Sequence, residues 1–373
     1  MYKLAIIAST RPDFIRLARL VKLAKSSKEI ECVWIATGQH YDRELFSIFL
    51  EELNIPNPDY ILDIKAGTVV KQTARLFEQL EDVLLKEKPN GCLFLGDVNG
   101  VLASIVALKL NMHVLHVEAG QRSYYWNMPE ERNRSIIDRI SNRLYCYHSD
   151  YKINLVREGI NPSNIVVVGN IIHDALDDHM AEIESRCVNI KAKYGINDKL
   201  FLCTIHRDEH VSNRDYITHV LGSIDILAGD NNAKVVLPVM PRLKEHVNTM
   251  QFKNFIMTEP LGFLDFVALE KVSSCIFTDS GTVQEEAAIL GIPCVVTREC
   301  TERPQTFECG ISVLEPWRIR IAFNKVMSGI YKKFSMGDGY SSQAILNDII
   351  LNHDKFSLAH DKLFDRYVGG HFA

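Results

Sequence analysis

No C-x-x-C pair occurs in the 373 residues, and the nine cysteines are scattered and odd in number. That pattern argues against a disulfide framework or a zinc site and points to a reducing cytoplasm. Several cysteines sit inside apolar runs, as in SSCIF (273–277) and IPCVV (292–296), where the residue acts as a small core side chain. No apolar run approaches the roughly 18 residues that would span a bilayer. The chain enters strand-like LAIIA at once, without a basic-apolar-small leader, so neither a signal peptide nor a membrane location is expected. Excess positive charge is missing too. A net charge of −5 gives no electrostatic case for nucleic acid, although a few basic residues in a cleft would hold a small anion. Internal repeats and low-complexity tracts are absent.

What is present is a soluble globular composition, 47% hydrophobic and 24% charged, in a chain long enough for two domains. Short apolar runs alternate with stretches of helical periodicity. KLAIIA (3–8), CVWIAT (32–37), YILDI (60–64), GCLFL (91–95), VLHV (114–117), LYCYH (144–148) and 165–168 read as buried strands. Helices are expected at 12–25, 67–86, 101–110 and near 133–141. After Gly169 a charge-rich helix at 173–194 leads to a second series, FLCTI, KVVLPV, CIFTD and PCVVT, with a short helix at 263–269 before CIFTD. The alternation predicts an α/β chain of two doubly wound parallel-sheet halves dividing near residue 170, with a ligand cleft between them.

Chemistry-bearing residues fall at the ends of these strands, where open α/β sheets keep their ligands. In the first half these are Arg11, Gln39 and His40, Asp97 and Glu118. The stretch HVEAGQRSYYWNMPEERNR (116–134) adds Glu131 and Arg134 within nineteen residues; the bland alternative is a surface loop whose charges pair among themselves. Ser9 or Thr10 caps the first helix, leaving its N–H groups beside Arg11 and Arg16 as an anion site. In the second half, TDSGTVQEE (278–286) is a strand, a small turn and a helix start. Its N–H groups and the Ser280 and Thr282 hydroxyls would cradle phosphate, and Gly281 permits close approach. The motif is neither Walker A nor G-x-G-x-x-G, which argues against a triphosphatase or a dinucleotide site. Glu286 can accept hydrogen bonds from two ribose hydroxyls. His206 and Arg207 end another strand, and Arg303 lies in a loop near the same sheet edge. Carboxylates on one side and a cation-lined phosphate site on the other suit proton transfer on a sugar attached to a diphosphate.

In order, these residues resemble the motifs of the non-hydrolysing UDP-N-acetylglucosamine 2-epimerases: T-R-P (10–12), T-G-Q-H (37–40), G-D (96–97), H-V-E-A-G (116–120), P-E-E-x-N-R (129–134), G-N-x-x-x-D-A (169–175), T-x-H-R (204–207), D-S-G (279–281), Q-E-E-A (284–287), T-E-R-P (301–304) and G-D-G (337–339). The resemblance covers nearly the whole chain. It implies a GT-B-like fold of two Rossmann-type domains, residues 1–169 and 170–355, with a last helix (356–373) returning to the first. It also implies inversion at C2 of the sugar without redox cofactor or metal. A base takes the C2 proton as UDP leaves C1, giving 2-acetamidoglucal, and UDP re-adds after protonation on the other face. Asp97, Glu118 and Glu131 would form the acid/base group, with His206 assisting the diphosphate. Arg11, Arg16, Gln39, His40, Arg134, Arg207, Ser280, Gly281, Thr282 and Arg303 would contact UDP or sugar, Glu286 the ribose, and Phe263 or Phe266 the uracil. A cytoplasmic homodimer serving surface polysaccharide synthesis is the implied setting.

Three positions depart from the family pattern. Arg16 stands for a common Lys, Thr282 for the second Gly of S-G-G, and Met240 for a His that in bacterial relatives helps bind an activating second UDP-GlcNAc. Related enzymes act on 6-deoxy or 2,3-diacetamido uronic UDP-sugars, so those substrates stay open. A branch that hydrolyses its product ranks lower, because its N-terminal motif differs. A GT-B glycosyltransferase and a silent UDP-sugar-binding module are the readings from other classes.

Overall fold

The computed structural model describes residues 1–38, 50–64, 67–332, 334 and 336–356. It divides into two units, residues 1–178 with 336–373 and residues 179–335. In the first, β1 (Tyr2–Ala8), β2 (Ile30–Ala36), β3 (Tyr60–Ile61), β4 (Gly91–Leu95), β5 (His113–Val117), β6 (Arg143–Cys146) and β7 (Ile165–Val167) form a parallel sheet in the order β3-β2-β1-β4-β5-β6-β7. In the second, β8 (Lys199–Thr204), β9 (Ala233–Pro238), β10 (Phe255–Thr258), β11 (Cys275–Thr278), β12 (Cys294–Val296) and β13 (Ser312–Leu314) run parallel in the order β10-β9-β8-β11-β12-β13.

Alternation along each strand sends successive side chains to opposite faces. Phe201, Cys203, Val235, Leu237, Cys275 and Phe277 meet the helices Arg214–Asp230 and Ile319–Met327. Leu200, Leu202, Val236, Ile276 and Cys294 meet Leu269, Val283 and Ala287 on the other face. The strands therefore read as continuous apolar runs because both faces are covered. All nine cysteines are free. Cys203, wholly buried before His206, has its thiol pushed up by burial, so it is an inert core side chain.

Strand order reverses between β1 and β4 in one unit and between β8 and β11 in the other. A crevice opens at the carboxyl ends of the strands at such a switch point. Ser9, Thr10, Gly96 and Asp97 follow β1 and β4; His206, Arg207, Asp279 and Ser280 follow β8 and β11.

Several boundaries differ from the sequence expectation. The helix expected at 173–194 is two, Ile171–Asp178 and Met180–Lys193, broken at His179, and the units divide at that break. Residues 170–178 and 336–355, expected in the second domain, pack in the first. The helix Ile171–Asp178 lies on the helix Arg11–Ser26. Its Asp174 caps the helix Ser341–Asn352 by accepting from the backbone of Ser341 (3.1 Å) and Ser342 (2.6 Å). The G-D-G turn makes this return possible: a Cβ on Gly337 would stand 3.0 Å from the Cα of Gly169. The expected terminal helix at 356–373 lies, beyond Phe356, outside the described residues. Of YILDI only Tyr60–Ile61 is strand, and β10 and β13 carry no sequence expectation.

Candidate active site

In the first unit the helix Arg11–Ser26 starts beside the end of β1. Thr10 is its N-cap and Pro12 lies in the first turn. Asp13 reaches back to accept from the backbone of Ser9 (3.0 Å) and Thr10 (2.8 Å). The same carboxylate takes Nη2 of Arg16 at 3.0 Å, and Nη1 of Arg16 meets Glu118. Arg16, read from sequence as an anion ligand, is thus buried between two carboxylates, whereas Arg11 is exposed at the helix start. Glu118 follows β5 in the left-handed region, φ +75°, which a non-glycine residue keeps only where its surroundings enforce it. The enforcing bonds run from the N–H groups of Glu118 and Ala119 to Tyr145 O, each 3.1 Å.

The helix Pro129–Ile140 brings in the rest of the cluster. Arg134, almost wholly buried, donates to Glu131 at 3.0 Å and to Asp97. Asn133 holds the Asp97 carbonyl at 2.9 Å. Glu131 also accepts from Ser123 N (3.0 Å), Ser123 Oγ (2.8 Å) and Tyr124 N (3.0 Å), so it anchors the loop ahead of its own helix. Asp97 is the most open of the three acids: its side chain is 20% exposed, against 4% for Glu118 and 2% for Glu131. Two arginines, each between two acids, offset part of the repulsion that four close carboxylates would otherwise feel.

In the second unit Ser280 caps the helix Gly281–Leu290, its Oγ accepting from Val283 N at 3.4 Å. The first N–H groups of such a helix have no partner within it and favour an anion. Asp279, wholly buried, organises the facing strand end. It accepts from the backbone of His206 (3.1 Å) and Arg207 (3.0 Å), from Nδ1 of His210 (3.0 Å), and lies 3.2 Å from Nδ1 of His206. Burial works against its charge, yet the two histidines and the Arg207 N–H hold its carboxyl below the ordinary range. The carboxylate fixes Nδ1 of His206, so Nε2 of this 43%-exposed side chain is the nitrogen available to a ligand.

Arg303 lies directly over Gly281, where a Cβ would come within 2.5 Å of Cζ of the guanidinium. Glu285 (3.1 Å) and Glu302 hold that guanidinium, and Glu302 also takes Arg298 at 2.9 Å. Gln284 ties the same loop through Thr301 Oγ1 (3.0 Å), Thr306 and the Arg303 carbonyl (3.3 Å).

Residues 22–350 match the family described as UDP-N-acetylglucosamine 2-epimerase. The chain belongs to that family. A Methanocaldococcus jannaschii relative named UDP-N-acetylglucosamine 2-epimerase is 41% identical over 323 residues, 84% of this chain and 88% of the relative. A Pseudomonas aeruginosa relative named UDP-2,3-diacetamido-2,3-dideoxy-D-glucuronate 2-epimerase is 35% identical over 316 residues, 84% of this chain and 88% of the relative. Among solved structures, the M. jannaschii UDP-GlcNAc 2-epimerase in complex with UDP-GlcNAc and UDP has a TM-score of 0.86 at 38% identity, covering 94% of this chain and 99% of that one. The two parallel-sheet units are those of the GT-B-like class that the family motifs imply.

The family's motif residues thus fall into two groups by setting. Asp97, Glu118, Glu131, Arg16 and Arg134 meet in the first unit; His206, Arg207, Ser280, Gly281, Thr282 and Arg303 meet in the second. Gln39 and His40 lie outside the described residues. Phe263 is buried, its ring edge-on to His179 at 6.5 Å between centroids. Met240, the departure from a common His, is 42% exposed at the start of the helix Pro241–Val247. Glu286 is buried and its carboxyl lies against that of Glu270, a residue the sequence reading passed over. Asp13 was passed over too, while Asp279, Glu285 and Glu302 stood inside the D-S-G, Q-E-E-A and T-E-R-P motifs without a role of their own. Asp279 also had its strand-end position as a signal; the others gain their meaning from the arginines that fold onto them.

Proposed function

We propose that the protein is a non-hydrolysing UDP-N-acetylglucosamine 2-epimerase, interconverting UDP-GlcNAc and UDP-ManNAc. Carboxylates of the first unit move the proton at C2, and the second unit holds the UDP. A carboxylate of the Asp97, Glu118 and Glu131 group takes the C2 proton as the C1–O bond to UDP breaks, its electrons leaving with the diphosphate. The C2–H electrons form the C1=C2 bond of 2-acetamidoglucal. A proton then reaches the opposite face of C2, and a UDP oxygen bonds again to C1. Asp97, the most open of the acids, is our choice for a group that meets the sugar, with Arg134 balancing charge between Asp97 and Glu131. His206, oriented by Asp279, hydrogen-bonds the departing diphosphate. Arg207, Arg303, Ser280 and the N–H groups of Gly281 and Thr282 lie at its phosphates, and Glu286 takes the ribose hydroxyls. Arg11, with Gln39 and His40, completes the sugar side and Phe263 the uracil side, while Arg16 holds Glu118 in place.

The observation that carries this reading is the acid cluster around Arg16 and Arg134 at a switch point, in a chain of this family. Glycosyl transfer needs at most one base, so three clustered acids favour proton transfer on the sugar itself. Incubation with UDP-GlcNAc and no acceptor tests it: UDP-ManNAc is expected, and an unchanged nucleotide sugar would reject the proposal. The Pseudomonas relative's name favours a second reading, a 2,3-diacetamido uronic UDP-sugar as the preferred substrate. Running both sugars side by side decides between them through kcat/KM. A cytoplasmic homodimer belongs to the same proposal. The free cysteines support the compartment, and light scattering of the purified chain tests the dimer.

A further inference from the structure

His116 lies one residue before the end of β5, wholly buried, and both ring nitrogens are in use. Nε2 is 2.8 Å from the carbonyl oxygen of Gly96. A carbonyl only accepts, so Nε2 is the donor in this bond. Nδ1 is 2.7 Å from Oδ1 of Asp138. The other oxygen of Asp138 accepts from Gly120 N (3.1 Å) and from Nη1 of Arg122 (2.7 Å). Arg122 forks onto Glu158 at 2.7 and 2.6 Å. A polar chain thus runs from the exposed Glu158 at the C-cap of the helix Ser149–Arg157, through the buried Arg122 and Asp138 on the helix Pro129–Ile140 side, to the ends of β4 and β5.

What the chain terminates on gives it a purpose. Gly96 immediately precedes Asp97, and Glu118 comes two residues after His116. Gly96 is left-handed, φ +77°, and a Cβ there would stand 3.5 Å from the Glu118 carboxylate. Its N–H already donates to Val117 O at 3.1 Å, so the His116 bond fixes the second of the two peptide groups that Gly96 joins, the one shared with Asp97. Asn133 then fixes the Asp97 carbonyl. A purely apolar side chain would fill the space under these strand ends without fixing either peptide.

We infer that His116, gripped by Asp138, is a positioning residue that sets the separation of the Asp97 and Glu118 carboxylates through the Gly96 carbonyl. The inference rests on the acid/base reading above. It makes the Nε2–H the working contact and Asp138 the group that orients it. A misplacement of about 1 Å in such a site costs about 10²-fold in rate. Nucleotide affinity belongs to the second unit and stays put.

The test compares His116→Asn, whose amide reaches only the Nδ1 position, with His116→Gln, whose amide reaches the Nε2 position. Both are measured beside wild type for kcat, KM and UDP dissociation constant. Asn is expected to lower kcat about 10²-fold with UDP affinity within about twofold. Gln should recover at least about tenfold of that loss, a rescue that simple loss of packing would not produce. Equal activity of both variants and wild type, or a fall in UDP affinity matching the fall in kcat, overturns the inference. If neither His116 variant is soluble, Asp138→Asn makes the same comparison. A kcat loss at constant UDP affinity supports the inference, while wild-type turnover or an insoluble chain overturns it. Wild type is first assayed for C2–H exchange. Failure there rejects the acid/base reading itself, whereas exchange in wild type with indifferent variants rejects only the role of His116.

Discussion

Replacing Glu270 with Gln should make the protein more stable in mild alkali and leave it little changed in mild acid. Glu270 is wholly buried on the helix Phe263–Val272, and among the described residues no N–H or O–H group donates to either of its oxygens. Its neighbour is the Glu286 carboxyl. Burial first, and then the like charge of Glu286, push the Glu270 carboxyl well above its ordinary value of 4.5. The folded chain therefore keeps a proton that the unfolded chain releases above that value. Stability is fully present below the unfolded value and falls as pH rises, by about tenfold in the folding equilibrium per pH unit, until the folded pKa is reached. Gln has no proton to lose, preserves the shape, and still donates a hydrogen bond to Glu286. Urea unfolding of both proteins at intervals from about pH 5 to about pH 8 reads the effect directly. The curves should nearly coincide at the acid end and separate steadily toward the alkaline end, with the variant above. Parallel curves, or a variant less stable throughout, would refute the placement of a neutral acid beside Glu286.

Asp97→Asn, Glu118→Gln and Glu131→Gln should each lower turnover by about 10² to 10⁴ while changing UDP affinity far less; calorimetry with UDP beside steady-state kinetics separates the two effects. Ser280→Ala and Arg11→Ala should mainly weaken UDP, and an unchanged dissociation constant in both counts against the phosphate site. Gly281→Ala drives a methyl into the Arg303 guanidinium held by Glu285 and Glu302 and should cost about 1–3 kcal/mol. In an Arg303→Ala background the same change should cost much less, so additive losses in a double-mutant cycle would show the collision to be irrelevant. The Asp279 carboxyl, held low by His206, His210 and the Arg207 N–H against its burial, contributes stability above its unfolded value that is lost as pH falls through the folded one. Asp279→Asn should flatten that acid limb in a pH series of unfolding midpoints.

The sheets were legible because parallel strands covered on both faces leave unbroken apolar runs, as in LAIIA and GCLFL. β10 and β13 escaped because they are edge strands of four and three residues, and β10 is only partly buried. The helical break at His179 escaped because a charged, periodic stretch continues across it without Gly or Pro. Site residues at strand ends were legible by position alone: Asp97, Glu118, His206 and Ser280 each follow an apolar run. Their partners were not. Asp279 and His206 lie 73 residues apart, Arg16 and Glu118 lie 102 apart, and only the fold puts one carboxylate beside two histidines or one arginine between two acids. Arg16 reads from sequence as part of an anion site, and the family resemblance makes Arg134 a contact to UDP or sugar; in the structure each is engaged by carboxylates.

In the proposed reaction these carboxylates remove and return the proton at C2 while UDP departs and re-adds. Following UDP-GlcNAc by NMR in D₂O tests it most directly. Deuterium is expected at C2 of the UDP-ManNAc formed, with slower wash-in to the remaining UDP-GlcNAc and loss of both in Asp97→Asn. UDP-ManNAc that still carries protium at C2 would contradict it.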